Sequence, residues 1–186
     1  MQTVSNVLNL VKQAILPALQ NASLIVDATA GNGNDTLFFA EHSLEKAKIY
    51  VFDIQPAALE HTREKTRDFA GKIEYILGSH ERIGEMVSGE IDVAMFNLGY
   101  LPGEEHVVTT KWESTLAAVR QVLDKLSLNG VCVIVVYPGH EAGAQEAARL
   151  EEFLGTLAKK KYTAGRYRLM NHSLSAPYAY VVEKVR

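Results

Sequence analysis

The sequence predicts an α/β fold: a mostly parallel, seven-stranded sheet with helices on both faces and a C-terminal antiparallel hairpin. Three observations predict it. Short β-branched runs alternate with stretches of helical periodicity through most of the chain. A Gly-rich loop, Asp27-Ala28-Thr29-Ala30-Gly31-Asn32-Gly33-Asn34-Asp35, follows the first of those runs. The last two runs are joined by a polar turn with no helix between them, so they pair antiparallel.

Each element has its own signal. Apolar residues at Val4, Val7, Leu8, Val11, Ile15 and Leu19 recur at helical spacing, predicting a first helix. Leu24–Thr29 is the first strand, and the Gly/Asn loop leads into a helix from Asp35 to His42. Lys48–Asp53 is the second strand, and Pro56 suits the first turn of a helix running to Phe69. Ile73–Leu77 is the third strand, with Gly78-Ser79-His80 turning into a short helix. Ile91–Phe96 is the fourth, ending in a polar loop over residues 97–106. A longer helix covers Trp112 to Leu126, stopped by Asn129-Gly130. Val131–Tyr137 is apolar throughout and therefore central. Glu141–Lys159 is helical, and Tyr162–Met170 and Tyr178–Val185 form the closing hairpin.

Bulk properties bound the function. A chain of 186 residues with 47% hydrophobic content accommodates one domain, residues 1–186. No apolar run approaches the roughly 20 residues that span a bilayer. The first residues lack the basic start and apolar block of a secretion signal, so a cytoplasmic location and no membrane partner are expected. Cys132 is the single cysteine, set within an apolar run, which reads as a buried thiol. A net charge of -3 excludes the broad positive field of a protein that coats nucleic acid, so any RNA contact comes from a local patch.

The chemistry concentrates at the ends of the strands. A buried strand ending in Asp27, then Gly31 and Gly33, then a helix, is the loop that approaches a nucleotide cofactor. Its glycines clear side chains from the ligand and tolerate positive φ. Asp53 closes the second strand about twenty residues on, where a carboxylate accepts hydrogen bonds from ribose hydroxyls. A dinucleotide fold would place a third small residue where Thr36 stands. Asp35 at the helix start would repel a pyrophosphate but attract the sulfonium and amino groups of S-adenosylmethionine. A dehydrogenase, or a nucleotide-binding module without catalysis, remains the competing reading. Ser79 and His80 close the third strand on the adenine side, although His80 can equally cap the next helix. Asn97, ending the fourth strand, can accept a hydrogen bond from a target amine, and Tyr100 can stack on a base. The plainer account of that segment is a Gly/Pro turn whose Asn satisfies backbone groups.

Asp27–Thr36, Phe52-Asp53-Ile54-Gln55, Phe96–Gly103 and Tyr137-Pro138-Gly139-His140 together resemble the putative rRNA methylase family, also called YtqB-like. The resemblance runs from about Val7 to Lys184 and implies a Rossmann-like class I methyltransferase fold that uses S-adenosyl-L-methionine. Members of the family of the MnmM type act on tRNA at the wobble uridine of the anticodon, converting 5-aminomethyl-2-thiouridine to its 5-methylaminomethyl form. The resemblance implies that substrate; spacing and periodicity do not carry it, and rRNA or a small molecule remains the alternative acceptor. The family's Gly-His-x-x-Gly-x-x-Glu pattern appears as Gly139 to Glu146. Between the last strands the family carries paired prolines, where this chain has Pro177 alone.

These readings assemble a site. The cofactor residues are Asp27, Ala30, Gly31, Asn32, Gly33, Asn34, Asp35, Asp53, Ile54, Gln55, Ser79, His80 and Asn97. Asn97, Tyr100 and His140 carry catalysis: Asn97 orients the amine and His140 or solvent takes its proton. A structural role for His140 in holding its loop is the competing account. Tyr100, Leu101, Pro102, Gly103 and His106 face the uridine. Lys160 and Arg168, from the basic cluster Lys159-Lys160-Lys161, Arg166 and Arg168, meet phosphates, unless that cluster is only a solvated helix end. No metal is implied, and association as a homodimer is left open.

Overall fold

The computed structural model describes residues 6–99 and 111–186. Among them, seven strands form one sheet in the order β3-β2-β1-β4-β5-β7-β6. In chain order these are β1 (Leu24–Asp27), β2 (Lys48–Asp53), β3 (Ile73–Leu77), β4 (Ile91–Asn97), β5 (Leu126–Val136), β6 (Tyr162–Tyr167) and β7 (Tyr178–Lys184). β1 to β5 pair in parallel, while β7 runs antiparallel to both β5 and β6. The order reverses between β1 and β4. Ligands of open α/β sheets bind at such a switch point, beyond the carboxyl ends of the strands.

The helices are α1 (Val7–Leu19), α2 (Asn34–His42), α3 (Pro56–Lys65), α4 (Ile83–Met86), α5 (Trp112–Lys125) and α6 (Glu141–Gly155). Alternation along the strands assigns them to two layers. Ile25, Val93, Met95, Val133 and Val135 pack with α1, α2 and α3 on one face. Val26, Ala94, Phe96, Cys132 and Ile134 pack with α4, α5 and α6 on the other. Helix α1 begins where the Asn6 side chain accepts the Asn9 N–H, and it lays Val7, Val11, Ile15 and Leu19 on the sheet. No helix among the described residues is long and apolar enough to cross a membrane.

Several boundaries differ from the sequence expectation, among them helix α6, which ends at Gly155 rather than Lys159, and strand β6, which ends at Tyr167 rather than Met170. Strand β1 ends at Asp27, two residues early, because the chain turns there into the Gly loop. Helix α3 stops at Lys65, and Arg67–Lys72 tightens into a 3-10 turn rather than continuing the helix to Phe69. Asn129-Gly130 does not stop a helix. Helix α5 ends at Lys125, β5 starts at Leu126, and the pair forms an irregularity inside that strand, where the partners change from Ile91↔Leu126 to Val93↔Val131. Asn129 takes a φ of 64°, and a Cβ on Gly130 would lie 2.8 Å from the Ile91 carbonyl oxygen. The same dipeptide chemistry that ends helices here bends a strand.

Candidate active site

The Gly loop wraps the carboxyl end of β1. Gly31 and Gly33 take φ values of 52° and 72°, and a Cβ on Gly33 would lie 2.8 Å from the Thr62 Cα, so α3 packs directly on the loop backbone. Asp53 braces the loop from β2. Its Oδ2 accepts the Gly31 N–H at 3.0 Å and its Oδ1 accepts the Gln55 N–H at 2.9 Å. Each oxygen keeps a further lone pair for a ligand hydroxyl. Beside these groups opens a cleft of about 590 Å³, bounded by the ends of β1, β2, β3 and β4.

The cleft gathers most of the residues that the sequence singles out. Ala30, Gly31, Asn32, Asn34 and Asp35 line it from the loop and α2; Asp53, Ile54 and Gln55 from β2; Ser79 and His80 from β3; Asn97 from β4. Asp27 and Gly33 do not line it. Gly33 is pressed against Thr62, and Asp27 is buried beneath the loop, where its carboxylate accepts the Thr29 N–H at 3.1 Å and the Thr36 hydroxyl at 2.5 Å. Burial, together with the charge of Asp35, pushes the Asp27 carboxyl up to about 7.

A connected polar network crosses the cleft floor. The Tyr137 hydroxyl donates to Asn97 Oδ1 at 2.8 Å, and Asn97 Nδ2 donates to Asp35 Oδ2 at 2.9 Å. Lys12 Nζ lies 2.6 Å from Asp35 Oδ1, without hydrogen-bond geometry, as an ion pair. The Asn97 N–H donates to the Thr29 hydroxyl at 2.8 Å, tying β4 to the loop. With a donor on one side and a carboxylate on the other, the orientation of the Asn97 amide is determined by its partners. Burial and the Asp35 charge raise the Tyr137 phenol, which keeps it a hydrogen-bond donor.

His80 is buried at the rim of the cleft, edge-on to Phe96. It is hydrogen-bonded to the Ala28 backbone, and burial lowers its pKa, favouring the neutral ring. Its Nε2 is buried without a hydrogen-bond partner. Ser79 caps the short turn that follows, accepting the Glu81 N–H at 3.2 Å.

His140 is the N-cap of α6: its Nδ1 accepts the Gly143 N–H at 3.1 Å, and it is not among the residues lining the cleft. Gly143 lets α6 close onto the Tyr137 carbonyl, where a Cβ would collide. Glu146 accepts the Thr115 hydroxyl at 2.6 Å and ties α6 to α5. The Gly-His-x-x-Gly-x-x-Glu pattern thus anchors the segment carrying Tyr137. The basic cluster divides. Strand register sets Tyr167 level with Ala179, Val135 and Asn97, so Arg168 follows at the cleft edge of the sheet. Lys160 precedes Tyr162, which is level with Lys184 at the opposite edge. Tyr100, Leu101, Pro102, Gly103 and His106 lie outside the described residues. Tyr137 lines the cleft and Lys12 pairs with Asp35 beside it, although sequence reasoning gave neither a role there; Leu8, Lys111 and Ser114 also line it.

Relatives share this architecture. A putative rRNA methylase from Clostridium thermocellum superposes with a TM-score of 0.93 at 31% identity, covering 98% of this chain and 100% of that one. A Streptococcus mutans protein described as a putative methyltransferase, solved in complex with SAH, gives a TM-score of 0.87 at 32% identity, covering 97% and 98% of the two chains. In Arabidopsis thaliana, a chloroplastic tRNA (mnm(5)s(2)U34)-methyltransferase is 29% identical over 178 residues. That match takes in 89% of this chain, which spans 65% of the length of that curated relative. The fold is therefore the Rossmann-like methyltransferase fold. The model of the family described as "Putative rRNA methylase" matches residues 49–183, and the chain belongs to that family.

Proposed function

We propose that the chain is an S-adenosylmethionine-dependent RNA methyltransferase that N-methylates 5-aminomethyl-2-thiouridine at the wobble position of tRNA. The observation that carries this reading is the convergence of the Gly loop, Asp53 and Asn97 on one cleft. The residues present fit the cofactor. A volume of about 590 Å³ suits a nucleoside with an amino-acid tail. Ser79 and His80, which line the cleft beyond β3, suit the adenine end, and the Asp53 oxygens suit the ribose hydroxyls. Asp35, paired with Lys12, sets a carboxylate at the head of α2 where a dinucleotide fold would seat a pyrophosphate.

When bound, the cofactor supplies the electrophilic methyl group for an in-line displacement by the amine. The chain's own residues position and desolvate the nucleophile. Asn97 Oδ1, already held by Tyr137, has a second lone pair to accept an N–H of the target amine and aim its nitrogen. The amine must first lose a proton. His140 spends Nδ1 on the α6 cap, so solvent is the acceptor we assign. The wobble-uridine substrate is supported by the family and by the name of the Arabidopsis relative.

Transfer of labelled methyl from S-adenosylmethionine to purified RNAs tests this function. Label is expected in tRNA carrying 5-aminomethyl-2-thiouridine, and absent from rRNA and from tRNA lacking that nucleoside. Label in rRNA alone would replace the tRNA reading with the rRNA one.

A further inference from the structure

The ion pair between Lys12 and Asp35 is placed unlike the chain's other ion pairs. Among the described residues, the other ion pairs join side chains that are 44% or more exposed, whereas Lys12 and Asp35 are 15% and 6% exposed. Lys12 does not line the cleft. Its ammonium faces Asp35 Oδ1, an oxygen shut off from solvent, and stands 5.0 Å from the centre of the Phe38 ring. The second carboxylate oxygen, Oδ2, accepts from Asn97 Nδ2 at 2.9 Å, and Asn97 Oδ1 accepts from the Tyr137 hydroxyl at 2.8 Å. Side chains from α1, α2, β4 and the residue after β5 thus stand in series: ammonium, carboxylate, amide, phenol.

The series has a direction. A carboxylate only accepts hydrogen bonds, so the amide must turn Nδ2 toward Asp35 and Oδ1 toward Tyr137. A flipped amide would set its carbonyl oxygen against the carboxylate, with like charges at hydrogen-bond distance. The Tyr137 hydroxyl does not fix the orientation alone, because a phenol oxygen both donates and accepts. Asp35 therefore decides which Asn97 atom is offered to the target amine. A buried carboxylate keeps such a place when a counter-ion offsets the cost of its desolvation, and Lys12 is that counter-ion.

Resting on the reading of Asn97 as the acceptor of the target amine, we propose that Lys12 is a positioning residue for methyl transfer. It acts through Asp35 to hold the Asn97 amide with Oδ1 presented to the nucleophile, and it does so from outside the cleft. Without Lys12 the carboxylate is buried alone, so it turns toward water and releases Asn97 Nδ2. The amide then samples both orientations, and less of the protein aims Oδ1 at the amine.

Single-turnover methyl transfer at saturating tRNA and S-adenosylmethionine tests this. Lys12→Met is expected to slow the step about threefold to thirtyfold, and Lys12→Arg to restore it. In the Asn97→Ala background Lys12→Met should add no further loss, because the group it acts through is gone. An unchanged rate in Lys12→Met overturns the proposal, and so does an equal slowing in the Asn97→Ala background. If Lys12→Met does not fold, Lys12→Met combined with Asp35→Asn removes both charges and is expected to show the same slowing and the same non-additivity. NMR of the Asn97 side-chain amide, identified by its loss in Asn97→Ala, reads the orientation without any turnover. Its signal should move toward that of a free amide in Lys12→Met and stay in place in Lys12→Arg. An unmoved signal in Lys12→Met overturns the positioning role even if the wild-type protein transfers no methyl to tRNA. That last result would bring down the function reading alone, so the two failures are distinct.

Discussion

Asp27 shows how burial converts a carboxylate into a pH-sensitive structural group. Its carboxyl titrates near 7 rather than 3.8, because it is taken out of water and faces Asp35. Below 3.8 it is protonated in both the folded and unfolded chains, and its contribution to stability is fully present. As pH rises toward 7 the unfolded chain ionises first, and that contribution is lost. The melting temperature of the wild-type protein should therefore fall relative to Asp27→Asn between pH 4 and pH 8; parallel curves would contradict the shift. At Asn97 the prediction concerns turnover. Asn97→Ala should lower kcat at saturating RNA and cofactor by about tenfold to a thousandfold, as the loss of a positioning hydrogen bond does. Tyr137→Phe, which removes only the donor to Asn97 Oδ1, should cost less in single-turnover assays, about threefold to tenfold. Full turnover in Asn97→Ala would remove Asn97 from the mechanism.

Among the elements, the Gly loop and its neighbours separate what is legible in a sequence from what is not. Gly31, Gly33 and Asp53 could be read because their spacing follows from one strand, one turn and the next strand; the structure sets Gly31 and Asp53 on the cleft and packs Gly33 against Thr62. Lys12 could not. A single Lys on an amphipathic helix reads as solvated, and only the packing of α1 against α2 brings it to Asp35. Tyr137 likewise stands 40 residues from Asn97 and meets it through the pairing of β4 with β5. Asn129-Gly130 was legible as a break but not as a bulge, since a helix end and a strand irregularity call for the same left-handed backbone. The tight packing of the loop gives its own prediction. Gly33→Ala adds a Cβ to a residue at φ 72° and presses it against the Thr62 backbone. It should destabilise the protein by about 2 kcal/mol or more, read as a lower denaturation midpoint in urea. An unchanged midpoint would mean that α3 and the loop can separate without cost.

Across the whole molecule, the antiparallel hairpin decides which basic residues share an edge with the cleft. Strand β6 runs toward that edge, so Arg168 emerges beside it, while Lys160 enters from the far side of the sheet. At about 3.3 Å per residue the two ends of β6 stand well over 10 Å apart. Both residues are exposed or partly so, but only Arg168 is placed to meet RNA whose target base is in the cleft. Arg168→Glu should therefore weaken tRNA binding and reduce its salt dependence more than Lys160→Glu does. Equal effects would indicate an RNA footprint that wraps the sheet.

The central claim joins this cleft to one modified nucleoside. It is tested most directly by mass spectrometry of tRNA nucleosides from cells in which the gene for this chain has been deleted. The account predicts that 5-aminomethyl-2-thiouridine accumulates, that its 5-methylaminomethyl form is lost, and that the wild-type gene restores it while the Asn97→Ala gene does not. An unchanged nucleoside profile in the deletion would contradict the account.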